Sequence, residues 1–184
     1  EGWAVISDKG SMLLTEDGWI ERREDIDAED LYYFGYGTDY LGCLKDYYKL
    51  TGATPILPKY ALGNWWSRYY RYTQDEYLQL MDRFKREGIP FTTSVIDMDW
   101  HRVDDVDPKY GSGWTGYSWD KQLFPDHEAF LRDLHERGLK ATLNVHPRDG
   151  VRAFEDDYEA VAKRVGIDPA TEEAVEFDLT NRIR

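Results

Sequence analysis

The sequence predicts an α/β protein in which a short β-rich opening leads into repeated strand–helix units. Three observations carry that expectation. Short apolar pieces separated by turn signals fill the first 34 positions. From Tyr60 onward, runs of strand character alternate with stripes at helical spacing. Capping residues and glycines then bracket each helical stretch.

In order, Trp3-Ala4-Val5-Ile6, Met12-Leu13-Leu14, Trp19-Ile20 and Leu31-Tyr32-Tyr33-Phe34 are strand candidates. Asp8-Lys9-Gly10 and Glu16-Asp17-Gly18 between them suit hairpin turns. So few strands cannot bury a core alone, so they are expected to be the edge of a larger module. Leu41, Leu44, Tyr47 and Tyr48 make one helical stripe that ends before Thr51-Gly52. Pro55-Ile56-Leu57-Pro58 suits neither helix nor central strand and reads as a connector.

A first strand is expected over Leu62 to Trp66. Thr73-Gln74-Asp75-Glu76 is a capping box, opening a helix that buries Tyr77, Leu80, Met81 and Phe84 and closes at Gly88 and Pro90. Phe91 to Ile96 is the second strand, followed by a polar loop from Trp100 to Pro125. Asp126 caps a helix through Phe130, Leu131 and Leu134 that stops at Gly138. Ala141 to Val145 is the third strand, and a helix over Phe154 to Val165 precedes Gly166. Such units join by right-handed crossovers into a parallel sheet, open or closed into a barrel.

Composition narrows the function. With 36 Asp and Glu against 23 Lys and Arg the net charge is −13, which repels phosphate backbones and anionic headgroups, so neither nucleic acid nor a membrane surface is an expected partner. No apolar run approaches the roughly 20 residues a spanning helix needs. Cys43 is the single cysteine, so no internal disulfide forms. Residue 1 is Glu, without a signal-like leader, and an excised segment of a longer chain is expected. The chain holds 7 Trp, 14 Tyr and 7 Phe, many beside Gly, Asp and Asn, and rings flanked by polar groups suit flat sugar faces. For any single ring, a place in the core is the competing reading.

Ligands of parallel α/β folds bind beyond the carboxyl ends of the strands. The expected strand ends carry Asn64-Trp65-Trp66-Ser67-Arg68-Tyr69, Asp97-Met98-Asp99-Trp100-His101 and Asn144-Val145-His146-Pro147. In an extended segment the Cα atoms of Asp97 and Asp99 lie roughly 6–7 Å apart, their side chains on one side. Retaining glycosidases set two carboxyls about 5 Å apart and inverting ones up to about 9 Å, yet acid and nucleophile must flank the scissile bond. Two carboxyls on one short segment approach from one side. Hydroxyl binding fits better, at about 1.5–3 kcal/mol per charge-assisted hydrogen bond.

Asp97, Asp99, Asp104, Asp105 and Asp107 lack the ordered spacing of a calcium loop, and His101 and His146 lack zinc-site spacing. No metal is expected, and Asp104 to Asp107 read as a solvated acidic loop. No phosphate-cradling glycine motif is present, so no nucleotide or other cofactor is expected.

The runs Pro58-Lys59-Tyr60-Ala61-Leu62-Gly63-Asn64-Trp65-Trp66-Ser67-Arg68-Tyr69, Gly88-Ile89-Pro90 and Val95-Ile96-Asp97-Met98-Asp99-Trp100 together resemble glycoside hydrolase family 31. Tyr32-Tyr33-Phe34-Gly35-Tyr36-Gly37 and Leu44-Lys45-Asp46-Tyr47-Tyr48 look like the stretch ahead of its barrel. The family's retaining α-glucosidases and α-xylosidases carry a (β/α)₈ TIM-type barrel behind an N-terminal β-sandwich. The resemblance implies trailing sandwich strands over 1–38, a helix and connector over 39–59, and the first part of the barrel over 60–184.

It also implies that Asp97 binds sugar hydroxyls in the −1 subsite and that Tyr69 lines it. Asp99, Trp100 and Trp66 are further candidates for holding an oligosaccharide or α-glycoside. His146 stands where many relatives have Asp, and Asn144 where they have an apolar residue; both remain candidates and leave the sugar open. The nucleophile and acid/base of the family are not matched, since Asp178 lacks the preceding Trp. A full barrel takes about 250 residues, so the remainder of the polypeptide is expected to complete it. The alternative is a non-catalytic carbohydrate-binding protein on the same scaffold.

Overall fold

The computed structural model describes residues 2–25 and 27–180; residues 181–184 of the expected barrel segment lie outside the described residues. The chain divides into two compact units, the first running to Ile56 and the second covering Leu57–Phe177.

In the first unit, β1 (Trp3–Ser7) pairs antiparallel with β4 (Leu31–Gly35), and β2 (Leu13–Leu14) pairs with β3 (Ile20–Glu21). The turn at Asp8-Lys9-Gly10 forms, but it does not make the local hairpin that the turn signals suggest. Asp8 instead exchanges backbone and side-chain hydrogen bonds with Asp30, which extends the β1–β4 ladder, so β2–β3 is an excursion within it. Helix α1 (Tyr40–Thr51) follows, capped by Asp39. Among the described residues of this unit the strands form two separate two-stranded ladders.

The second unit is a three-stranded parallel sheet in the order β5 (Trp65–Trp66), β6 (Thr93–Ile96), β7 (Lys140–Leu143), with α2 (Gln74–Arg86), α3 (His127–Glu136) and α4 (Tyr158–Val165) between and after the strands. The capping box is present, with Thr73 and Glu76 bonded reciprocally, and Asp126 caps α3. Four elements, β5, β6, β7 and α4, are shorter than expected. Residues 59–62 form a 3₁₀ turn rather than strand, because Gly63 presses on Thr92: a Cβ there would lie 2.4 Å from the threonine methyl. Asn64 therefore precedes β5, and its carbonyl accepts from Thr92 N. Helix α4 starts at Tyr158, not Phe154, because residues 151–157 turn back to hold the long loop.

Strand alternation sorts the faces. Ser94 and Ile96 on β6, with Ala141 and Leu143 on β7, face the helices. There Tyr77 donates to Ser94 or accepts from it at 2.7 Å, within a core of Tyr72, Met81, Trp100, Phe124, Phe130, Leu134 and Leu139. Thr93, Val95 and Asp97 take the opposite face. A satellite core of Tyr158, Ala162 and Val175 lies under α4.

Candidate functional site

The site is built at the carboxyl ends of β6 and β7. Asn144 N donates to Ile96 O at 2.9 Å, which adds one rung to the ladder and sets Asn144 opposite Asp97. The Asn144 amide then donates to Asp97 Oδ1 at 2.6 Å, while Met98 N donates to the same oxygen at 2.7 Å. A carboxylate only accepts, so the amide must present its NH₂ group. Asp97 Oδ2 has no protein partner among the described residues. Trp100 is 3% exposed and donates its indole N–H to Asn144 O at 2.8 Å, fixing the pair from beneath.

Asp97 and Asp99 do not share a side. The extended spacing expected for them fails because β6 ends at Ile96 and the chain turns, leaving Asp99 at φ 71° in the left-handed region that few non-glycine residues adopt. Asp97 leans toward β7. Asp99 instead lies in the field of Arg71, which follows β5 and also pairs with Asp104 and, at 3.8 Å, with Asp120. Burial raises the Asp99 carboxyl above its usual 3.8, against the lowering influence of Arg71. The two carboxylates thus have different partners, Asn144 and Met98 for Asp97 and the Arg71 field for Asp99, so the extended geometry behind an acid–nucleophile pairing is absent.

The other candidates divide. His146 is half-buried beside the exposed Trp114, with ring centroids 4.7 Å apart, and its Nδ1 is enclosed without a partner among the described residues. Tyr69 is 65% exposed beyond β5. Trp66 shares the helix-facing side with Ser94 and packs between Phe84 and Phe91 at 4.7 and 5.9 Å, away from Asp97. The structure therefore brings Asp97, Asn144 and Trp100 together, places Asp99 beside them on the Arg71 side, and leaves Trp66 in the packing layer.

Two residues that sequence reasoning missed organise the mouth. Arg152 is 3% exposed and donates to the carbonyls of Tyr110, Ser112 and Thr115. Glu155 is 5% exposed and accepts from Tyr117 N at 3.1 Å and Ser118 Oγ at 2.6 Å. Together they hold the 110–118 segment of the long loop against the turn before α4. A sequence signal existed in Tyr110-Gly111-Ser112-Gly113-Trp114-Thr115-Gly116-Tyr117, where glycines alternate with rings in an otherwise polar loop.

His101 closes the base of this loop. It is fully buried; its Nδ1 lies 3.0 Å from Arg102 O and so carries the proton, while Nε2 has no partner among the described residues. A Cβ on Gly116 would come within 2.6 Å of that ring. Burial pushes the His101 pKa below its usual 6.5, countered by the Arg102 carbonyl and Glu155. The unfolded chain thus takes up a proton near pH 6.5 that the folded chain refuses, so stability declines as pH falls through that value. A lower urea midpoint at pH 5.5 than at 7.5 is expected, with the difference reduced in His101→Gln. An equal difference in the variant would assign the effect elsewhere.

Among the described residues no group of three His, Cys, Asp or Glu is arranged to hold a metal ion, and no helix is long and apolar enough to cross a membrane.

Residues 54–178 match the family model for the glycosyl hydrolases family 31 TIM-barrel domain. The chain is 33% identical over 156 residues to an α-xylosidase of Saccharolobus solfataricus, covering 82% of this chain and 20% of that protein. It is 32% identical over 136 residues to α-glucosidase 2 of Bacillus thermoamyloliquefaciens, covering 74% of this chain and 15% of that protein. The chain thus spans a fifth or less of the length of these curated relatives. A GH31 dextranase from Flavobacterium johnsoniae, complexed with glucose, matches 77% of this chain and 16% of its own at TM-score 0.53 and 24% identity. A GH31 α-xylosidase from Xanthomonas citri matches 65% of this chain and 12% of its own at TM-score 0.51 and 24% identity. These likenesses make the β5–β6–β7 sheet and its helices part of a (β/α)₈ barrel.

Proposed function

The chain belongs to glycoside hydrolase family 31, and from that premise we propose that it supplies the sugar-orienting side of a retaining α-glycosidase site within a longer polypeptide. The observation that carries this is the Asp97 carboxylate, locked through Oδ1 by Met98 N and the Asn144 amide. Its Oδ2 is left to accept a hydroxyl. A fixed acceptor of this kind strengthens a hydrogen bond without reorganising during reaction, and it distinguishes sugars by the direction of one hydroxyl. Asn144 keeps its amide oxygen for a second hydroxyl. Asp99, His146 and Tyr69 are assigned to the rim of the same pocket, and Trp100 supports it from below.

The ligand is an oligosaccharide or other α-glycoside, in keeping with relatives named α-xylosidase and α-glucosidase. Bond breaking is assigned to carboxylates elsewhere in the polypeptide, because Asp97 and Asp99 diverge. Residues 1–38 are read as the trailing strands of a β-sandwich, 39–59 as the connector and 60–184 as the first part of the barrel. The ladders β1–β4 and β2–β3 support the first of these, and the change of unit after Ile56 falls inside the connector.

The test is turnover of aryl α-xyloside and aryl α-glucoside by the longer polypeptide, with the anomer released followed by NMR. Release of the α-anomer from either supports the reading. If both substrates survive intact, the hydrolytic reading is overturned.

A further inference from the structure

We propose that Trp114 is the platform for the leaving-group sugar, with His146 at its edge; this rests on the glycosidase reading of the same mouth. Trp114 lies on the loop after β6, at the strand ends that carry Asp97 and Asn144. Its ring sits 4.7 Å from that of His146, two residues beyond Asn144 in extended backbone with φ −116° and ψ 93°. That step carries His146 roughly 7 Å outward from Asn144, on the scale of one further sugar ring. The inner position is occupied by the Asp97–Asn144 pair, so the Trp114–His146 pair faces the next unit along.

The surroundings of Trp114 are rigid while the ring itself is 45% exposed. Thr115 beside it is fully buried and donates to Asp149, and Arg152 grips the carbonyls on both sides. Ordering backbone costs about 1–2 kcal/mol per residue, and here that order surrounds a large ring left in water. An indole so held offers a flat apolar face to the C–H side of a pyranose. The His146 ring, tilted 43° against the indole at 4.7 Å, forms the platform's edge.

The experiment compares Trp114→Ala and Trp114→Phe with the parent sequence in the longer polypeptide, on an α-linked disaccharide and on the matching α-glycosyl fluoride. Fluoride leaves nothing to stack. In Trp114→Ala, kcat/KM on the disaccharide is expected to fall about tenfold further than on the fluoride, and Trp114→Phe to recover most of that gap. Equal losses on the two substrates, or none, overturn the platform; equal losses with a lowered melting temperature place the ring in packing instead. Disaccharide affinity by calorimetry separates the two ideas. An inactive parent whose affinity still drops about tenfold in Trp114→Ala keeps the platform and overturns only the hydrolytic reading. An affinity that does not change overturns the platform.

Discussion

Asp97→Asn is expected to lower kcat/KM of the longer polypeptide by about 10²–10³ while leaving its melting temperature in place. The substitution keeps the shape of the side chain. The carbonyl oxygen of the new amide can still accept from Met98 N and the Asn144 amide, as Asp97 Oδ1 does at 2.7 and 2.6 Å. What changes is the other branch, where an acceptor becomes an NH₂ donor. A sugar hydroxyl that donated to Oδ2 now meets a second donor, and the charge that strengthens the contact in the transition state is gone. Folding is spared because the locking bonds survive. A variant within threefold of the parent would remove Asp97 from the substrate site. A variant that unfolds would make the Asp97–Asn144 bond a structural one.

The barrel segment was legible because its signals are local. The Thr73–Glu76 box, the Asp126 cap and the glycines after each helix act through a few residues of backbone, and each element they bracket is present. The position of Asp97 just past a β-branched strand was legible from that strand's composition. The error at Asp99 has a physical origin: the two-residue rule holds only while the chain stays extended, and here the strand ends one residue before Asp97. For Trp66 the strand period leaves the face open, since adjacent tryptophans on a strand point to opposite faces and the sequence does not say which faces the helices. Arg152 and Glu155 were invisible for another reason. A charged residue reads as solvated unless its partners are known, and their partners lie some forty residues earlier on the loop. Non-local pairing likewise decided that β1 meets β4 rather than β2.

Arg152→Met should free the loop that this arginine holds. Methionine keeps most of the apolar stem but supplies no donors and loses the guanidinium that sits 4.8 Å from the Phe154 ring centroid. The carbonyls of Tyr110, Ser112 and Thr115 then lose their partner inside the fold. Leaving the buried Thr115 carbonyl unpaired costs about 1–3 kcal/mol, and the part-buried Tyr110 and Ser112 carbonyls add less. The chain relieves the penalty locally by turning the carbonyls to water. The expected signature is faster amide exchange and new proteolytic cleavage between Tyr110 and Tyr117, with the β6–β7 ladder still protected. Glu155→Gln should be milder, since an amide oxygen can still accept from Tyr117 N and Ser118 Oγ. Trp114 rides on the Arg152-bound stretch, so Arg152→Met should also weaken disaccharide binding without the ring itself being changed. Unaltered exchange and cleavage in Arg152→Met would mean that the loop holds its shape through Glu155, the Thr115–Asp149 bond and Gly116 packing on His101, and that the buried arginine does not position the mouth.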